Sequence, residues 1–120
     1  MRGYALKFYD REMEEFKEAY GIMLPSQGEV VKIVNKLTRH YKMNPMTVKF
    51  GKHTPNGGTC WYKSRRISFH REKASIGIIC HEVAHQLLYD QTGKSGHTRK
   101  LMTRVRRLNN YCRKMGYWGS

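Results

Sequence analysis

Apolar residues recur at spacings of three and four at both ends of the chain, and at spacings of two in its middle. Met13, Phe16 and Tyr20 share one face of a first helix, which Asp10 is placed to cap and Gly21 and Pro25 to end. Ser26, with Glu29 three residues on, forms a capping box for a second helix. Its stripe is Val30, Val34, Leu37 and Tyr41, with Ile33 beside it, and Asn44-Pro45 closes it. Met46–Phe50, Thr59–Tyr62 and Arg66–His70 read as strands. Gly51 to Gly58, with Pro55-Asn56-Gly57-Gly58 inside it, reads as a loop, and Lys63-Ser64-Arg65 as a turn. In the third strand Ile67 and Phe69 alternate with Ser68 and His70, so one face is buried and the other wet. Helical spacing returns from about Ser75 to Tyr89, where Ile76, Cys80, Val83 and Leu87 align and Gly93 is a stop signal. The last helix runs from about Thr98 to Met115. Leu101, Val105, Leu108, Cys112 and Met115 fall within about 80° of arc on it. The predicted order is α-α-β-β-β-α-α: a single α+β domain over residues 1–120, with helices on a small three-stranded sheet.

Composition narrows the function. A chain of 120 residues is too short for separate substrate and cofactor domains. No apolar run approaches the roughly 20 residues of a membrane span, and the first residues lack a signal-peptide core. Cys60, Cys80 and Cys112 stand alone, with no CxxC pair. They argue against a disulfide scaffold or a zinc ribbon and for a reducing, cytoplasmic compartment of a cell or a virus-infected host, not a secreted protein. The formal charge is +14, and it is uneven. Residues 1–60 carry ten basic and six acidic side chains; residues 61–120 carry thirteen and three. Such one-sided basicity suits either a polyanion partner or plain solubility.

The chemistry is concentrated in His81-Glu82-Val83-Ala84-His85. Positions i and i+4 of a helix face the same way, so two imidazoles can meet one ion, with Zn²⁺ the natural choice. Both histidines lie off the apolar stripe of their helix. Glu82 lies about 100° round from His81, near the ion, where it can act as general base toward a water. A zinc site with an open position needs a third protein ligand. No Asp or Glu follows Asp90, so a downstream carboxylate is excluded. A third histidine six residues after His85 is excluded as well, because Gln91 stands there. His97 and Cys112 remain downstream, and Cys112 lies on an apolar stripe, where burial is expected.

HEVAH at 81–85 and, after eleven intervening residues that end in Gly96, His97 together resemble the SprT-like zinc metallopeptidases, a zincin family. Leu101 four residues on and Arg107-Leu108-Asn109 continue the resemblance. Gly58, Cys60, Tyr62 and Ile67 extend it backward, so that it covers roughly residues 46–112. It implies a minimal zincin-like domain with His81, His85 and His97 as zinc ligands and Glu82 as general acid/base. Relatives in that family include proteases that degrade proteins held on DNA. The chain departs from the family in having His97-Thr98-Arg99 where His-Gly-Pro or His-Gly-Asp is usual, and no aromatic at Leu101.

The expected activity is zinc-dependent hydrolysis of peptide bonds in a protein or peptide substrate. Tyr62, Arg65, His70 and Tyr117 are candidates to stabilise the oxyanion, Asp90 to support the ligands, and the Arg66–His70 strand to offer a free edge to the substrate. DNA is a further expected partner. Arg99, Arg106, Arg107, Arg113 and Lys114 project from the last helix away from its apolar stripe, and Tyr111, Tyr117 and Trp118 offer rings for bases. The alternative reading is a non-catalytic, basic nucleic-acid-binding protein with a structural zinc. Glu82 discriminates, since a structural site has no need of a carboxylate between its histidines. Oligomeric state leaves no mark in the sequence.

Overall fold

The computed structural model describes residues 2–24, 26–52, 57–71 and 74–117; the helix breaker Pro25, the loop residues Pro55 and Asn56, and Trp118 lie outside them. The elements are α1 (Arg2–Glu15), α2 (Lys17–Gly21), α3 (Gln27–His40), β1 (Thr47–Gly51), β2 (Gly58–Trp61), β3 (Arg66–His70), α4 (Ile76–Thr92) and α5 (Arg99–Lys114). Helices on a small three-stranded sheet make an α+β fold in the expected order. No helix among the described residues is long and apolar enough to cross a membrane.

The first predicted helix is different in detail. It begins at Arg2, so Asp10 lies inside it rather than capping it, and it breaks at Phe16, whose backbone (φ −116°, ψ 30°) is not helical. The break turns two short helices toward the same core. Phe8 and Glu12 of α1 are buried, and so are Phe16 and Ala19. The cap of α3 follows the sequence, with Ser26 Oγ accepting from Glu29 N–H at 3.2 Å.

The sheet runs β1-β3-β2, with β1 parallel and β2 antiparallel to β3. The expectation that Arg66–His70 presents a free edge is therefore overturned. Ile67 and Phe69 are wholly buried, whereas β1 and β2 carry no wholly buried side chain, as expected of a strand paired on both sides. The free edges belong to β1 and β2.

Helix α4 is the axis of the fold. Ser75 caps it by accepting from Ile78 N–H at 3.2 Å, and Gly93 ends it in the left-handed region at φ 72°. It is buried almost all round, because the helical segments α1, α2, α3 and α5 and the sheet pack against it. Helix α5 lays Leu101, Val105, Leu108 and Cys112 on it, with Cys112 Sγ 3.7 Å from Cys80 Sγ. Met115, expected on that stripe, is half exposed, since α5 ends at Lys114 and the chain leaves helical geometry there.

Candidate metal centre

His81 and His85 stand one turn apart on α4, and their Nε2 atoms lie 3.1 Å from each other. Gly96, at φ 116°, makes the turn that brings the next residue back over α4. That residue is His97, and ligand atoms of His81, His85 and His97 all lie within 4.8 Å of one another. The structure brings all three predicted imidazoles together. Cys112, the other downstream candidate, is sealed in the core beside Cys80.

Helix α1 orients this cluster. The Nδ1–H of His81 donates to both oxygens of Glu12 at 2.8 Å, and Glu12 is fully buried. That bond keeps a proton on Nδ1 and turns Nε2 toward the other two rings. The Tyr20 phenol, its pKa pushed up by burial and then by the Glu12 charge, faces the same carboxylate. Tyr20 fits there because Gly77 of α4 has no side chain: a Cβ at 77 would lie 2.6 Å from the Tyr20 ring. Asp90, expected to support the ligands, instead accepts from Gln86 Nε2 at 2.9 Å and Arg65 Nη1 at 2.7 Å. The sequence signal for Glu12 was a carboxylate between Phe8 and Phe16, four residues from each, on an apolar stripe.

Tyr9 completes the wall. Its ring stacks on His81 at 5.1 Å (24°) and leans on His97 at 4.9 Å (49°), and its hydroxyl is 3.1 Å from His97 Nε2. None of the four residues expected to stabilise an oxyanion takes such a position. Tyr62 packs on Tyr89 at 4.6 Å, and Arg65 binds Asp90 and the carbonyls of Asn44 and Pro45. His70 lines a cavity of about 260 Å³ with Leu24, Gln27 and Arg71, and Tyr117 lies under Lys36.

Electrostatics leave two of the three rings neutral. Burial and the charge of His81 and His97 push the His85 imidazole down to about 3, and burial lowers His97 as well. Both are therefore neutral, with lone pairs available. Burial works against the His81 cation, but the bond to Glu12 and the charges of Glu82 and Glu12 outweigh it and raise His81. Burial lifts the Glu82 carboxyl to about 7, although His81 opposes the shift. Burial, then Glu82 and Glu12, push the Tyr9 phenol up to about 12. Three nitrogen donors suit zinc, and tetrahedral bonds of 2.0–2.1 Å place donors about 3.4 Å apart. The His81–His85 pair nearly has that spacing already.

Glu82 faces the free edge strand. A Cβ added to Gly58 of β2 would lie 3.0 Å from Glu82 Cγ and 3.4 Å from Oε2. Glycine at the start of β2 thus lets the strand run directly beside this carboxylate. Away from the cluster, Arg99, Arg107, Arg113 and Lys114 are exposed on α5. Arg106 is exposed too, but its guanidinium makes a bidentate pair with Glu15 of α1 at 2.6 and 2.9 Å, so its charge is matched within the fold. No family model, curated protein or solved structure matches the chain.

Proposed function

We propose that this chain is a zinc-dependent metalloendopeptidase of the SprT-like kind. The observation that carries the reading is the convergence of three imidazoles beside a buried carboxylate that borders a free strand edge. His81, His85 and His97 would hold the metal, and three protein ligands leave a position for water or substrate. When bound, zinc supplies Lewis acidity, which acidifies a water and polarises a carbonyl.

The chain's own residues supply the rest. Glu82 takes the proton of the attacking water and returns it to the leaving amine. Glu12 holds the His81 ring against rotation through a two-oxygen contact. The outer edge of β2, unpaired among the described residues, offers N–H and C=O groups to an extended peptide, and Gly58 brings that strand next to Glu82. This favours a peptide over other hydrolysable substrates. Zinc content, measured on wild type and on His81→Ala, His85→Ala and His97→Ala beside cleavage of an unfolded protein substrate, tests the reading. One zinc per wild-type chain, lost with activity in the variants, is the expected result. A wild-type chain that holds no zinc rejects it.

Exposed cations on α5 favour a second property, salt-sensitive contact with DNA. Arg99, Lys100, Arg107, Arg113 and Lys114 offer a helix surface with no acidic residue among them. Such a surface would tether the peptidase to proteins held on nucleic acid. If zinc is bound but no protein is cleaved, a basic nucleic-acid-binding protein with a structural metal is the reading that remains.

A further inference from the structure

The Tyr9 hydroxyl lies 3.1 Å from the Nε2 of His97, one of the three converging imidazoles. With Nε2 bare, as ligation requires, the phenol O–H is the donor in that contact. Were a cation held by the three histidines, with His97 ligating through this nitrogen, it would claim the same lone pair, and the Tyr9 O–H would be free to donate to an oxygen arriving beside the three rings. Its ring has little freedom to follow another partner. It is stacked on His81, leans on His97 and meets the edge of Phe8 at 6.3 Å. A donor fixed before the reaction begins costs no reorganisation when charge develops.

We infer that Tyr9 is a catalytic residue of this site, whose hydroxyl donates a hydrogen bond to the scissile carbonyl oxygen as that oxygen becomes negative. The inference rests on the peptidase reading. It assigns the oxyanion donor to α1, outside the HExxH helix and outside every stretch that carries a motif. It also gives α1 two tasks on one face, since Glu12 positions His81 from the turn that follows Tyr9.

Tyr9→Phe tests it, because the ring and its packing stay and one oxygen goes. Three quantities are measured on the full chain: zinc affinity by chelator competition, affinity of the zinc-loaded protein for acetohydroxamate, and kcat and KM on an unfolded protein substrate. Melting temperature is followed alongside. The expected result is zinc affinity within threefold of wild type, acetohydroxamate bound about tenfold more weakly, and kcat reduced by roughly 10²-fold or more with KM little changed. Unchanged hydroxamate affinity and kcat would overturn the inference while leaving the peptidase reading intact. A loss of zinc affinity beyond tenfold would overturn it differently, by making Tyr9 a ligand. A wild-type protein that binds zinc and hydroxamate but cleaves nothing overturns both readings. If Tyr9→Phe melts too low to assay, Tyr9→His places a ring N–H donor there instead: with zinc affinity kept, hydroxamate affinity near wild type upholds the donor role, and hydroxamate affinity lost beyond tenfold overturns it.

Discussion

Glu12 and His81, 69 residues apart in the chain, meet in a contact where one imidazole N–H faces both carboxylate oxygens at 2.8 Å, with neither side chain appreciably exposed. The first helix therefore belongs to the metal centre as much as the helix that carries its ligands. Replacing Glu12 by Gln keeps the shape and removes the charge. Zinc affinity is expected to fall by about 10–100-fold, as for other carboxylates that orient a ligating histidine. Competition with a chelator of known affinity measures it, and a variant that binds zinc as tightly as wild type contradicts the orienting role.

Glu82→Gln separates metal binding from chemistry. The amide cannot accept a proton from water, so turnover should drop by roughly 10²–10⁴-fold with zinc still bound. Metal analysis beside a cleavage assay decides; full activity in this variant rejects Glu82 as the base.

The same substitution has a consequence in metal-free protein. The Glu82 carboxyl titrates near 7 in the fold, against an ordinary value of 4.5. Between those two values the folded chain keeps a proton that the unfolded chain has lost, so this group's contribution to stability declines as pH rises through the window. Gln at 82 lacks that dependence. Metal-free Glu82→Gln is expected to exceed metal-free wild type in stability at pH 8, by on the order of 3 kcal/mol, with the gap closing below pH 4.5. Denaturant unfolding at the two pH values tests it, and a gap independent of pH counts against a buried charge at 82.

Gly77→Ala probes the support behind Glu12. The new Cβ would stand 2.6–2.9 Å from three atoms of the Tyr20 ring, and Tyr20 faces Glu12. Overpacking of this kind costs about 1–3 kcal/mol. A lower melting temperature should come with weaker zinc binding. If the melting temperature falls and zinc affinity does not, Tyr20 and Glu12 are uncoupled.

Single-stranded DNA binding should weaken steeply with salt. Replacing Arg99, Arg107 and Lys114 together by Ala should flatten the dependence of log K on log salt by about 2, at roughly 0.7 per phosphate contact. Arg106→Ala should change that slope little, because Glu15 already matches its charge, and should instead loosen α1 from α5. No affinity for DNA at low salt would remove the tethering role.

The HExxH pair was legible in the sequence because helical spacing alone puts i and i+4 on one face. His97 was legible by elimination and by resemblance, and the glycine before it supplies the turn that makes its approach possible. The caps at Ser26 and Gly93 were also legible, since they depend on neighbours within four residues. Except for the first helix, which starts at Arg2 rather than after Asp10 and breaks at Phe16, periodicity placed the helices and strands to within a few residues for the same reason. What it missed depends on partners far along the chain. Which strand takes the middle of the sheet depends on how all three pair, β1 parallel and β2 antiparallel to β3, so β3 lacks the free edge expected of it. Glu12 and Tyr9 gain their roles only when α1 closes over α4, and Arg106 loses its freedom only when α1 and α5 meet. Local spacing dictates which way a side chain points from its own backbone; only the packing of distant segments decides what it finds there.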